Sequence, residues 1–249
     1  MINFEQYLAE RKSSSAGQQT KRKVNIEQLK QMIANKDPKI ADVDVSDITD
    51  MSELFKDSDF GGSWTADLSE WDTSKVVDMS WMFVRCKNLK EVSLPHTENV
   101  KDMSIMFGHC TILEKVSLPH TENVKDMSNM FQDCTNIKEV ALPNTGNVTN
   151  MGYMFCRCKE LTKVELPNTE KVEDMGYMFE GCTNLTKVEL PHTENVEYMN
   201  SMFSGCKELE QNFSSWNVKG KKIAGMFKGC TKMEDAYKNK NNLYPKGYK

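Results

Sequence analysis

The 249-residue chain is defined first by what it lacks. No apolar run approaches the roughly 20 residues that a transmembrane helix needs. The segment from Met1 to Arg11 carries Glu5 and Glu10 and has no apolar core, so it does not read as a secretory signal, and no cysteine lies near it to accept a lipid. There is no C-x-x-C pair, no glycine-rich phosphate loop, no nucleophile elbow, and no paired acid and base outside a repeating pattern. These absences argue against an enzyme, and no cofactor or metal is expected. The formal net charge is −4 with a pI near 5.7. About +3 sits on residues 1–23 and about +3 on residues 231–249, which leaves about −10 on the body between them. An acidic body lacks the basic face that duplex phosphate requires, so nucleic acid is not an expected partner.

What the chain has is a period. Phenylalanine preceded by Met or Leu recurs at Phe55, Phe83, Phe107, Phe131, Phe155, Phe179, Phe203 and Phe227, after a first interval of 28 residues in steps of 24. A unit of 24 residues cannot close a core of its own and must bury its apolar face against its neighbours. The expectation is therefore a stack of coils. Within one interval, Leu161-x-x-Val164-x-Leu166 alternates and stops at Pro167, as a short parallel strand would. Met175, Met178 and Phe179 have the spacing of one face of a helical turn, so the return is expected to be a short helical or irregular segment. Thr73, Thr97, Thr121, Thr145, Thr169 and Thr193 recur in register, as buried hydroxyls bonded to corner amides would.

The pattern resembles the BspA-like leucine-rich-repeat family, whose coils read L-x-x-[LIV]-x-L-P followed by an apolar corner, a Phe and a Cys. The likeness runs from about Ile48 to Thr231 and includes seven Phe-x-x-Cys registers. The edge coils, with Leu68-Ser69-Glu70-Trp71-Asp72-Thr73-Ser74 and Phe213-Ser214-Ser215-Trp216-Asn217-Val218, look like the Met-x-x-Met-Phe branch found in bacterial surface proteins and lipoproteins. The implied fold is an α/β repeat: a right-handed leucine-rich-repeat-like solenoid of about eight 24-residue coils, with a parallel β-sheet and an N-terminal helical cap. The implied function is non-enzymatic binding of a protein partner, commonly outside the cell. The chain as written carries no export signal, and its thiols suit a reducing compartment, so cytoplasm and cell surface both stay open. Self-association as a structural subunit, and sequestration of a partner inside the cell, are the alternatives. The expected organisation is a segment and polar linker over 1–23, a helical cap over 24–47, the solenoid over 48–231 and a C-terminal cap or tail over 232–249. The cap rests on Asn25-Ile26-Glu27-Gln28, which resembles a capping box. Residues 228–237 are expected to close the stack and 238–249 to be flexible.

Seven cysteines, Cys86, Cys110, Cys134, Cys158, Cys182, Cys206 and Cys230, keep the register and are expected to form a ladder of buried free thiols. Cys156 falls outside it and is expected at the surface. His96, His120 and His192 share their slot with Asn144 and Asn168, which marks a polar corner rather than a metal site. Two rows are candidate partner surfaces. Glu91, Lys115, Glu139, Lys163 and Lys187 lie on the exposed side of the strands, where the alternating signs of the first four would let them pair with one another. Trp81, Ile105, Tyr153 and Tyr177, with Asn129 and Ser201, lie between the two Met of each repeat, and they either meet a partner or pack against one another.

Overall fold

The computed structural model describes residues 21–62, 67–238 and 243–248; the expectations for residues 1–20 lie outside these. The elements are β1 (Arg22–Lys23), α1 (Ile26–Ala34), a 3-10 helix (Pro38–Asp42), β2 (Val43–Asp44), β3 (Glu91–Ser93), β4 (Lys115–Ser117), β5 (Lys163–Glu165), β6 (Lys187–Glu189) and α2 (Thr231–Lys238). The α1 start has the complete capping box, Asn25 accepting from the Gln28 N–H while the Gln28 side chain accepts from the Asn25 N–H.

The core is a column of phenylalanine rings. Phe55, Phe83, Phe107, Phe131, Phe155, Phe179, Phe203 and Phe227 stack with neighbouring centroids 5.1–5.6 Å apart and planes within 16°. Such spacing lies in the favourable range for offset aromatic pairs. Around it stand fully buried methionines, Met79, Met82 and their equivalents, and the seven-cysteine ladder. All eight cysteines are free. Each ladder thiol bonds across the stack, as Cys110 Sγ does to the Phe83 carbonyl (3.0 Å) and Cys134 Sγ to that of Phe107 (3.1 Å).

The methionine corner is not helical. From Met79 to Cys86 the amides divide by parity. Those of Met79, Trp81, Phe83 and Arg85 donate to the next coil, at the carbonyls of Asp102, Ser104, Met106 and Gly108, over 2.8–3.0 Å. Those of Met82, Val84 and Cys86 donate three residues back, to Met79, Trp81 and Phe83, and Ser80 N–H is held by the Asp78 carboxylate. Every donor is satisfied, half of them by the neighbouring coil. The third residue of the first and last of these turns has positive φ, 61° at Trp81 and 58° at Arg85, which is the signature of type II turns. An i, i+3, i+4 apolar spacing is shared by a helix and by this chain of turns, which is why the helical expectation fails.

The threonine row also differs from expectation. Thr97, Thr121, Thr145 and Thr169 are buried and donate Oγ1–H to carbonyls of the following coil, 2.5–2.6 Å away, rather than accepting from an amide. A carbonyl with two lone pairs has spare capacity where the amides are already spoken for.

The strand side is parallel but interrupted. β3 pairs with β4 and β5 with β6, while residues 139–141 hold only one bridge, Ala141 to Glu165. The outer edge of β6 is closed by a side chain: Gln211 Oε1 accepts from Val188 N–H (2.9 Å) and its Nε2 donates to Val188 O (2.8 Å). At the C-terminal end the expected flexible tail is packed. Leu243 is buried, and Tyr244 and Tyr248 stand edge-on to Phe227, 5.2 and 5.3 Å away. Glu234 Oε1 accepts from the Gly229 N–H (3.1 Å). The last turn would otherwise leave this donor orphaned.

Phe131→Ala, in mid-column, is expected to destabilise the fold by about 3–5 kcal/mol, read from the urea midpoint, with the unfolding slope unchanged.

Candidate functional site

The first candidate surface is built on the positive-φ corners. In register, Glu53, Trp81, Ile105, Asn129, Tyr153, Tyr177 and Ser201 all have φ between 50° and 61°, and Gly225 closes the row at 69°. A left-handed backbone costs an L-residue roughly 1–2 kcal/mol, most for a β-branched or bulky one. Glycine is the inexpensive occupant, and the chain uses it at Gly225. Trp81 and Tyr153 are nonetheless exposed, at 36% and 38%, while Ile105 and Tyr177 are half-buried.

These side chains both face solvent and touch one another. Tyr153 and Tyr177 stack at 4.5 Å with planes 4° apart, and Lys56 Nζ sits 4.9 Å over the Trp81 ring. Partial burial, and then Tyr177, push the Tyr153 phenol above its ordinary pKa. The stack uses one face of each ring on its partner.

Sequence reasoning missed a second row four residues on: Asp57, Arg85, His109, Asp133 and Arg157, again left-handed with φ 58–63°. These pair in series, Arg85 with Asp57 (3.6 Å), and His109 (3.4 Å) and Arg157 (3.3 Å) both with Asp133. The signal was present in Gly181, Gly205 and Gly229, which occupy the same slot and mark it as a positive-φ position. Tyr198 was also missed; it is 36% exposed, stands where the preceding repeats carry Asp or Asn, and has Lys222 Nζ 4.1 Å over its ring.

Cys156 is not at the surface. It is 1% exposed, its Sγ is 3.7 Å from Glu180 Oε2, and burial pushes its pKa up to about 12. It is covered by its neighbours in the stack, Glu180 among them, rather than by the core that holds Phe155 and Cys158. Burial raises the ladder thiols as well, Cys86 to about 11 and Cys230 to about 12. A buried thiol with a raised pKa is a poor nucleophile and metal ligand. Among the described residues no three of His, Cys, Asp and Glu come together as a metal site would require.

The second candidate surface is the strand row. Glu91, Lys115, Glu139, Lys163 and Lys187 are all exposed, but they do not pair along the row as expected. β5 and β6 set Lys163 against Lys187, and the balance comes from the neighbouring row: Lys163 pairs with Glu165 and reaches Glu189 (4.0 Å), and Lys187 pairs with Glu189 (2.5 Å). Lys115, Glu139 and Lys163 line an open hollow of about 1010 Å³, to which the aromatic row does not contribute. The two candidate rows are therefore separate surfaces. Among the described residues no helix is long and apolar enough to cross a membrane.

A model of the family described as "Mycoplasma protein of unknown function, DUF285" matches residues 24–141 and 149–243. The chain belongs to that family. No curated protein matches it. Among solved structures, this DUF285 chain is similar to a leucine-rich-repeat protein of T. pallidum (18% identity, 80% of this chain and 79% of that one, TM-score 0.42). It is also similar to a leucine-rich-repeat protein of Eubacterium ventriosum (20%, 75% of this chain and 42% of that one, TM-score 0.40) and a leucine-rich cell surface protein of Faecalibacterium prausnitzii (23%, 49% and 38%, TM-score 0.35).

Two predictions arise from these rows. Ile105→Asn, which matches the occupant at Asn129, is expected to relieve left-handed strain and stabilise by on the order of 0.5–1 kcal/mol, measured by denaturant unfolding. The buried thiols hold their protons to higher pH in the folded than in the unfolded chain. Their contribution is thus intact below about pH 9 and declines as pH rises through the folded values. Thermal melts should fall steeply between pH 9 and 11, and a thiol reagent at pH 8 should label the native protein only after urea is added.

Proposed function

We propose that this DUF285 protein is a non-enzymatic, protein-binding leucine-rich-repeat scaffold of the BspA-like bacterial branch, and that the row of Trp81, Ile105, Tyr153 and Tyr177 is its principal contact. The observation that carries this reading is the cost of the row. Bulky side chains occupy positive-φ positions where Gly225 shows that glycine serves, and two of them are more than a third exposed. The Tyr153–Tyr177 stack and Lys56 over Trp81 offset part of that cost, and exposed aromatics also supply the large, rigid contact area that dominates protein interfaces. The polar row of Asp57, Arg85, His109, Asp133 and Arg157, with its Arg85–Asp57 and Arg157–Asp133 ion pairs, would form the polar rim that such a contact needs. The strand row of Glu91, Lys115, Glu139, Lys163 and Lys187 is a second, independent contact surface.

The organisation that goes with this reading is an N-terminal segment to residue 23 whose last two residues form β1, a cap over 24–47 centred on α1, a solenoid of about eight coils over 48–231 and a closing segment over 232–249. The branch resemblance favours display on a bacterial surface. Self-assembly by end-to-end stacking is the weaker reading, because Tyr244, Tyr248 and Glu234 occupy the last turn.

Capture of partners from the source organism by wild-type protein, compared with a Trp81→Ser, Tyr153→Ser, Tyr177→Ser variant of unchanged melting temperature, tests the contact. At least a tenfold loss of a specific, identified partner is expected. Equal capture would remove the aromatic row from consideration, and reversible oligomers in sedimentation would revive self-assembly.

A further inference from the structure

The rings on the corner side differ in what covers them. Trp81 has Lys56 Nζ 4.9 Å over its face, and Tyr198 has Lys222 Nζ at 4.1 Å. Tyr153 and Tyr177 each use one face on the other, and among the described residues no cation stands over either ring and no third ring joins the pair. Their planes lie within 4° and their centroids 4.5 Å apart, close to the ~4.8 Å between neighbouring strands. The two rings therefore stack along the axis of the coils, and the second face of Tyr177 looks toward the next coil.

What meets it there is small. The Tyr177 N–H donates to the Asn200 carbonyl (2.8 Å), which sets Ser201 opposite Tyr177. Ser201 has no ring to offer, and its hydroxyl is turned to the coil beyond: a Cβ built on Gly225 would stand 3.2 Å from Ser201 Oγ. The row steps down from Tyr177 to Ser201 and Gly225. The step leaves a place about one coil, ~4.8 Å, high against the open ring face.

The free charge beside the step is of one sign. Corner residues 173–181 and 197–205 contain Glu173, Asp174, Glu180 and Glu197 and no lysine, arginine or histidine. None of the four takes part in an ion pair among the described residues; Asp174 accepts from the Gly176 N–H (2.7 Å) and Glu180 from the Cys156 thiol (3.7 Å), both uncharged donors. The carboxylates reach the ring pair, since burial first, and then Tyr177, Glu180, Cys156 and Asp174, hold the Tyr153 phenol above its ordinary pKa. Cations on the flanking coils are engaged elsewhere. Arg157 pairs with Asp133 (3.3 Å), Lys222 lies on Tyr198, and Lys221 Nζ donates to the carbonyls of Glu194 and Val196 (2.7 and 2.6 Å). Lys228 belongs to the coil of Gly225, one beyond Ser201.

An open aromatic face beside unpaired carboxylates selects a cation, and the shape of the step selects which one. A guanidinium is planar, stacks on a ring and keeps its N–H groups free at the edge for carboxylates, whereas an ammonium is a compact, strongly hydrated point charge. We propose that an arginine of the protein partner inserts against the open face of Tyr177, over Ser201, continuing the Tyr153–Tyr177 stack with its N–H groups set toward the carboxylates beside the step. This rests on the reading of the aromatic row as a protein contact and deepens it: Tyr177 becomes the centre of that contact, and the partner's contribution is basic.

The probe is the blocked tripeptide acetyl-Gly-Arg-Gly-amide, titrated at constant ionic strength into the full chain and followed by NMR of the tyrosine rings, with Tyr153 and Tyr177 assigned from Tyr153→Phe and Tyr177→Phe. Saturable movement of these two ring signals is expected while the other tyrosines stay still, with at least fivefold weaker binding of acetyl-Gly-Lys-Gly-amide. Glu180→Gln with Glu197→Gln should weaken the arginine probe at least fivefold. Ser201→Arg, which fills the step from within, should weaken it at least tenfold, and neither variant should lower the melting temperature. Trp81→Ser, four coils from Tyr177, should bind the probe normally. Absence of saturable movement, equal movement of all tyrosines, equal binding of the lysine probe, or undiminished binding by Ser201→Arg overturns the proposal. The row itself is judged by partner capture. Capture lost in the Trp81→Ser, Tyr153→Ser, Tyr177→Ser variant but kept by Glu180→Gln with Glu197→Gln leaves the row in place and removes the arginine.

Discussion

The fold depends on a division of labour among backbone amides. In each methionine corner alternate N–H groups turn back into their own coil while the others reach the next. Neither set suffices alone. The inward set makes consecutive turns that have no stability in isolation, and the outward set needs a neighbour at fixed height. A coil is complete only in the stack, and the pitch that satisfies the amides also sets the aromatic column at 5.1–5.6 Å and brings each thiol onto a phenylalanine carbonyl. Stability of such an array is a sum over neighbours rather than the property of one centre.

The stack itself was legible in the sequence, because burial repeats and repeated burial leaves a repeated letter. Phe55 to Phe227 and the seven ladder cysteines could hardly occupy anything but a shared interior. The corners were not legible. Positive φ is inferred from glycine, and only the last repeats advertise it, at Gly181, Gly205, Gly225 and Gly229; Trp81 and Ile105 conceal the same geometry behind residues that seldom adopt it. Cys156 was misjudged because register was taken as the test of burial, whereas the neighbouring coil, through Glu180, covers a side chain that does not join the core. The break in the sheet was hidden too, since residues 138–142 keep the apolar alternation of their neighbours and differ in how their main chain is paired.

Repetition and exception therefore carry different information. Positions identical in every coil describe the scaffold, and a change there would propagate to both neighbours. Positions free to vary, among them the two left-handed rows and the residues that face a strand edge, can be altered one coil at a time. Gln211 illustrates how fine that control is: one side-chain amide fills both main-chain bonds of Val188 where a strand would otherwise stand.

The outward amides all point the same way. Each donates toward the C-terminal neighbour, so the peptide dipoles of successive corners add along the axis as they do in a helix. The first corner is left with the carbonyls of Ser52, Leu54 and Lys56, which receive no backbone donor among the described residues, while in the final corner the Gly229 N–H is covered by Glu234. The molecule is in this sense an arrow. Two copies meeting through like ends would set like partial charges against each other, and only a head-to-tail encounter would match them, at the end where the chain has already placed a carboxylate and a phenol.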